Sequence, residues 1–144
     1  RGAGPVTLAL AAAVYDLTPV PVARVLTLAD GRKAGYLLFK DFITQAEPAL
    51  VAAFADFRAA GATELILDLR YNGGGRISVA SQLASLVAGA TKSGAVFTEL
   101  RYNASHRSRD QTYHFADGPG PAFTRAVVIA GRRTCSAKAS APNT

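Results

Sequence analysis

The stretch "TELILDLRYNGGGRISVASQLASLV", residues 63–87, constrains the fold of this chain more than any other. Residues 63–70 are a short apolar run bounded by turn signals, the pattern of a buried strand. Gly73, Gly74 and Gly75 follow in succession. Ile77, Ala80, Leu83, Ala84 and Val87 then recur at the spacing of one helical face, which predicts a helix over about 77–88. A strand that turns through glycines directly into a helix lays that helix back across its sheet, the basic unit of an α/β fold.

The flanks continue the alternation. "GPVTLALAAAVYD" (4–16) begins as a strand with Val6, Leu8 and Leu10 on one face, and Pro19 and Pro21 interrupt it. "ARVLTL" (23–28) and "GYLLFKDF" (35–42) read as strands on either side of the Asp30-Gly31 hairpin signal. A helix follows, with Thr44 and Glu47 at capping-box spacing and Pro48 in its first turn. Leu50, Phe54 and Phe57, completed by Val51, form its apolar stripe, and Gly61 is its stop. "AVFTELRY" and "QTYHF" read as strands, "ADGPGPA" as a loop, and "RAVVIA" (125–130) as another buried strand. The order predicts α/β layers joined by crossover connections.

Composition narrows the function classes. The 144 residues, 49% hydrophobic, suit one domain with a real core. No apolar run approaches the roughly 20 residues of a membrane span. The chain starts at Arg1 and has no methionine, so a leader, linker or further domain is expected to precede it. A single cysteine excludes an internal disulfide, and no His/Cys/Asp/Glu spacing suggests a metal or cofactor. Net charge is +6, and Arg101, Arg107 and Arg109 cluster in "LRYNASHRSRDQ". Asp110 sits inside that cluster and the other arginines are dispersed, so a solvated loop is a better account than a nucleic-acid site.

Two stretches carry chemistry. In "DLRYNGGGRIS" the glycines bring bare amide N–H groups to a helix N-terminus, a setting for phosphate, carboxylate or an oxyanion. Neither Gly-Lys-Ser/Thr nor GxGxxG spacing is present, so the phosphate fingerprints do not fit. In "VVIAGRRTCSA" Ser136 lies just past a predicted strand, where ligand sites gather in open α/β sheets. If the two strands are neighbours, the glycine amides face the serine hydroxyl, the geometry of a nucleophile with an oxyanion hole.

"GYLLFKDF", "ELILDLRYNGGG", "ASQLASLVAG" and "VVIAGRRTCSA" together resemble the core of the C-terminal (tail-specific) processing serine peptidases, related to the tricorn protease core. The resemblance covers roughly residues 35–137. It implies a crotonase-like (ClpP/crotonase type) α/β core of ββα units over 35–144, incomplete at its C-terminal end. It also implies that the β-rich segment 1–34 is the exit from a PDZ-type domain or linker. Ser136 matches the nucleophile, and the amides of Ala137 and of the pair Gly74 and Gly75 match the oxyanion hole, Gly74 first. Asp68, Arg70 and Asn72 match the structural support of that turn. The implied activity is hydrolysis of a polypeptide substrate through an acyl-enzyme, without a metal or cofactor, in the periplasm or another extracytoplasmic envelope compartment.

Two departures stand out. Gly73 occupies a position where many members have proline. After Ala137 the family usually continues "S-A-S-E" into a helix and, further on, a base lysine. Here "KASAPNT" follows, and nothing in the 144 residues matches that lysine. Lys138 is two positions from Ser136 and does not face it on a helix. His106 reads as a loop residue, His114 as a partly exposed strand residue, and Cys135 as a small buried neighbour of the turn. The alternative expectation is a non-catalytic peptide-binding module built on a peptidase core.

Overall fold

The computed structural model describes residues 7, 11–117, 123–132 and 134. Val6, Leu8 and Leu10 of the first predicted strand lie outside the described residues, as do most of "ADGPGPA" and everything from Cys135 onward. Residues 11–16 carry no strand and are exposed.

The fold begins with a hairpin. β1 (Val22–Thr27) and β2 (Lys33–Leu38) pair antiparallel, with Arg24 opposite Tyr36 and Leu26 opposite Ala34. Gly31, at φ +83°, makes the turn that the Asp-Gly pair predicts. α1 (Ala46–Ala59) then crosses over to β3 (Glu64–Asp68), which lies parallel to β2 with Leu38 opposite Asp68. α2 (Ile77–Ala88) leaves β3 through the glycine turn. β4 (Val96–Leu100) and β5 (Gln111–His114) form a separate antiparallel hairpin. β6 (Arg125–Ile129) returns to the main sheet parallel to β3, giving the order β1-β2-β3-β6. Mixed α/β architecture with crossovers is thus observed, and both helices span the predicted residues to within a turn.

Strand alternation sorts the residues of the sheet. Leu37, Leu65 and Leu67 point to the helices and join Phe39, Leu50, Phe54, Phe57, Val79, Leu83 and Leu86 in one buried cluster. Each large side chain buried there contributes ~1.5–3 kcal/mol by leaving water. α1 approaches so closely at Gly35 that a Cβ there would lie 2.6 Å from Phe57 Cδ2. Glu64, Ile66 and Asp68 alternate to the opposite face.

Four expectations need correction. Helix α1 has Gln45 as N-cap with no side-chain cap bond, so Thr44 and Glu47 form no capping box. Instead the Thr44 carbonyl accepts from the Glu47 N–H, an ordinary turn bond. Val51 is 49% exposed, because the buried face runs through Ala46, Leu50, Ala53, Phe54 and Phe57. α2 buries more than one stripe, including Ser81 and Ser85. The β4–β5 hairpin region covers that second side: Ser81 Oγ donates to the His114 carbonyl (2.6 Å), and Ser85 Oγ accepts from the Ala116 N–H (2.8 Å). Lastly, β6 is not buried. Val127 and Val128 are 39% and 57% exposed, since among the described residues the strand lies at the sheet edge.

Candidate active site

The site is built where β2, β3 and β6 end side by side. Beyond Leu38 the chain keeps to the course of β2, and the glycine turn is sewn to it. Gly73 N–H donates to the Lys40 carbonyl (3.0 Å), Phe42 N–H to the Gly74 carbonyl (2.9 Å), and Arg76 N–H to the Phe42 carbonyl (2.7 Å). Gly74 and Gly75 sit at φ +91° and +140°, where side chains are strained. At Gly75 a Cβ would also fall 2.4 Å from the Phe42 carbonyl oxygen. Backbone conformation and space both demand glycine there.

Asn72 braces the turn from inside. It is fully buried, and its Nδ2 donates to the Phe39 carbonyl (3.2 Å). Its Oδ1 accepts from Gly74 N–H (2.8 Å), and its own N–H donates to the Leu69 carbonyl (3.0 Å). The amides of Gly73 and Gly74 are therefore both engaged. Gly75 N–H donates to no acceptor among the described residues. That amide lies at the entrance to α2, whose N-cap Arg76 supplies no side-chain bond to the first turn. The orphan donors and dipole of a helix N-terminus favour negative charge at such a place.

Asp68 and Arg70 fix the strand end. The Asp68 carboxylate is fully buried and accepts from Arg70 Nη2 (2.7 Å), Arg70 Nε (3.0 Å), the Arg70 N–H (3.1 Å) and Tyr36 Oη (2.8 Å). The Arg70 side-chain bonds hold this carboxyl at about 2, against the opposing push of burial. The same carboxylate raises the Tyr36 phenol above its ordinary value by accepting its proton in a hydrogen bond. Tyr36 was not legible as a site residue, although its place on the same sheet face as Asp68 follows from strand alternation. Arg24 lies over its ring, 5.3 Å from the centroid.

The loop after β6 docks on this assembly. Leu69 N–H donates to the Ile129 carbonyl (2.8 Å), and Gly131 packs against the Arg70 backbone. Thr134 Oγ1 donates to the Leu69 carbonyl (2.7 Å) and accepts from Gly131 N–H (2.9 Å). The two strand ends expected to share a site are therefore adjacent. Ser136 and Ala137 themselves lie outside the described residues, as do Cys135 and Lys138. An open cleft of about 570 Å³, lined by Leu38, Lys40, Asp41 and Tyr71, flanks the glycine turn.

The histidines are engaged elsewhere: His106 Nδ1 meets Asn103 Oδ1 (3.0 Å), and His114 Nδ1 meets the Gly94 carbonyl (3.1 Å). Arg101 pairs with Glu99, and Asp110 accepts from Tyr102 N–H, which closes the arginine-rich loop on itself. Among the described residues, no cluster of His, Cys, Asp or Glu is arranged to hold a metal, and no helix is long and apolar enough to cross a membrane.

A mixed α/β sheet whose parallel strand β3 ends in a braced glycine turn, with a second strand-end loop docked against it, defines the class. The model of Peptidase family S41 matches residues 33–141, and the chain belongs to that family. An S41 protease from Bacteroides fragilis is similar in structure, with a TM-score of 0.73 and 28% identity over 81% of this chain and 33% of that one. The photosystem II D1 C-terminal processing protease shares the fold with a TM-score of 0.63 and 24% identity, over 85% of this chain and 32% of that one. The chain thus spans about a third of the length of these solved structures. Among curated proteins there is no match.

Proposed function

We propose that this chain carries the nucleophile and oxyanion elements of a serine endopeptidase acting on polypeptides. Ser136 Oγ bonds to the scissile carbonyl carbon, the leaving amine departs with a proton, and water hydrolyses the resulting acyl-enzyme. The amides of Gly75 and Ala137 receive the developing oxyanion. The Gly74 amide is engaged and the Gly75 amide has no acceptor among the described residues, which favours Gly75 as the donor from the glycine pair. Asp68, Arg70 and Asn72 shape the turn and take no part in bond making. Neither His106 nor His114 is proposed as the base, because each ring is bonded within its own exposed loop or hairpin. The core is proposed to be of the crotonase-like type, in an extracytoplasmic compartment, with residues 1–34 leading out of a preceding domain or linker and contributing β1 and the start of β2 to the core sheet.

The observation that supports this reading is the adjacency of the two strand ends, with Gly131 and Thr134 against Leu69 and Arg70, the residues that lead into the glycine turn. The test is labelling of the full chain with a fluorophosphonate acylating probe, with the modified peptide located by mass spectrometry. Labelling at Ser136, lost in Ser136→Ala, is the expected result, and with no base residue proposed among these 144 residues, little cleavage of an unfolded polypeptide by this chain alone is expected. Peptide binding without labelling overturns the enzyme and leaves the binding module.

A further inference from the structure

The cleft beside the glycine turn holds a carboxylate without a partner among the described residues. Asp41 stands between Lys40, whose carbonyl accepts from Gly73 N–H (3.0 Å), and Phe42, whose N–H donates to the Gly74 carbonyl (2.9 Å). The turn therefore clamps the chain on both sides of Asp41, and Asp41 Oδ1 lies 3.5 Å from the position a Cβ on Gly73 would take. Buried Asp68 is met by Arg70 and Tyr36. Half-buried Asp41 has neither an ion pair nor a hydrogen-bond donor among the described residues. Half-buried Leu38, exposed Lys40 and exposed Tyr71 complete the lining. Arg70 lies over the Tyr71 ring, 5.9 Å from its centroid, with its charge already matched by Asp68.

An aliphatic floor, an aromatic wall and a carboxylate suit a long side chain with an apolar stem and a cationic head. Lysine and arginine have that form, and both bring only donors to an acceptor-only carboxylate. Lys40 opposes a cation, but its exposed ammonium is strongly hydrated, rides on a flexible stem and is screened by solvent. Asp41 is short, half-buried and fixed by the turn, so its charge acts at closer range and has less to order on binding. We infer that this cleft is a side-chain subsite for a lysine or arginine of the bound polypeptide, with Asp41 receiving the cationic head. This rests on the peptidase reading above only in taking the occupant to be a polypeptide.

The experiment measures binding to the full chain by fluorescence anisotropy. The probes are fluorescein-labelled, alanine-rich heptapeptides with amidated C-termini and a central arginine, citrulline, norleucine or glutamate. Citrulline keeps the length and planarity of arginine and removes its charge. The net charge of +6 repels cationic peptides in general, so a preference for arginine reports the cleft and not the overall field. The arginine peptide should bind ~10-fold tighter than the citrulline peptide, and the glutamate peptide should bind weakest. Asp41→Asn should erase the arginine preference, and Lys40→Gln should widen it ~2- to 3-fold. Equal affinity for arginine and citrulline in the wild type, a comparison that needs no variant to fold, overturns the proposal. So does a preference for glutamate, or an arginine preference that survives in Asp41→Asn. Fluorophosphonate labelling of Ser136, read separately, decides the peptidase reading. Labelling without an arginine preference sinks only the subsite, and an arginine preference without labelling sinks only the enzyme.

Discussion

Replacing Asp68 by asparagine removes one buried charge and leaves the shape of the strand end in place. In the native chain the Asp68 carboxyl ionises at about 2, against an ordinary 3.8, chiefly through its bonds to Arg70. Between those two values the folded chain binds fewer protons than the unfolded chain, so stability rises with pH. The contribution is complete above about pH 5 and drains away as pH falls through about 2. At ~1.4 kcal/mol per pH unit the displacement corresponds to about 2 kcal/mol. Arg70 is half exposed, and solvent screening lowers the expectation to about 1–2 kcal/mol. Urea unfolding followed by far-UV circular dichroism reads the difference directly. Asp68→Asn should be less stable than wild type by that amount at about pH 6.5, with the gap narrowing below about pH 4 and closing near pH 2. Asp30, drawn down by its hydrogen bonds to Arg32, is exposed and present in both proteins, so it does not contribute to the gap. A gap that stays constant from about pH 6 to about pH 2, or no gap at neutral pH, would refute the assignment of Asp68 as the ionised brace of the strand end.

Two further outcomes follow from the packing and the turn. Gly35→Ala drives a methyl into the buried Phe57 ring and should destabilise the fold by ~1–3 kcal/mol, with partial recovery on adding Phe57→Leu; unchanged urea midpoints would contradict the close approach. In amide hydrogen exchange, Gly73 and Gly74 should be protected and Gly75 should exchange faster, and Asn72→Leu should release the Gly74 amide; slow exchange at Gly75 in the wild type would count against its availability to an oxyanion.

Local pattern was sufficient for much of this fold. The glycine run, the helix over 77–88 and the Asp30-Gly31 hairpin depend on interactions between residues close in sequence, and the structure contains each of them. Errors arose where a distant partner decided the outcome. Ser81 and Ser85 lie outside the apolar face predicted for α2, yet the β4–β5 hairpin region covers them and satisfies their hydroxyls. Val51 fits a helical apolar stripe but falls outside the face that meets the sheet. The run "RAVVIA" has the composition of a central strand and occupies an edge, because composition reports hydrophobicity and not the neighbours a strand acquires.

The site divides along the same line. From sequence alone came the identity of the turn: three glycines between a strand and a helix, because only glycine adopts φ values such as those of Gly74 and Gly75 without strain. Tertiary structure decided which of those amides has no acceptor among the described residues, since the acceptors for Gly73 and Gly74 are a carbonyl from another strand end and the folded-back side chain of Asn72. It also decided that Tyr36 joins Asp68 and that Thr134 meets Leu69. These pairs are separated by 32 and 65 residues, and no local periodicity records a contact that exists only once the parallel strands lie side by side.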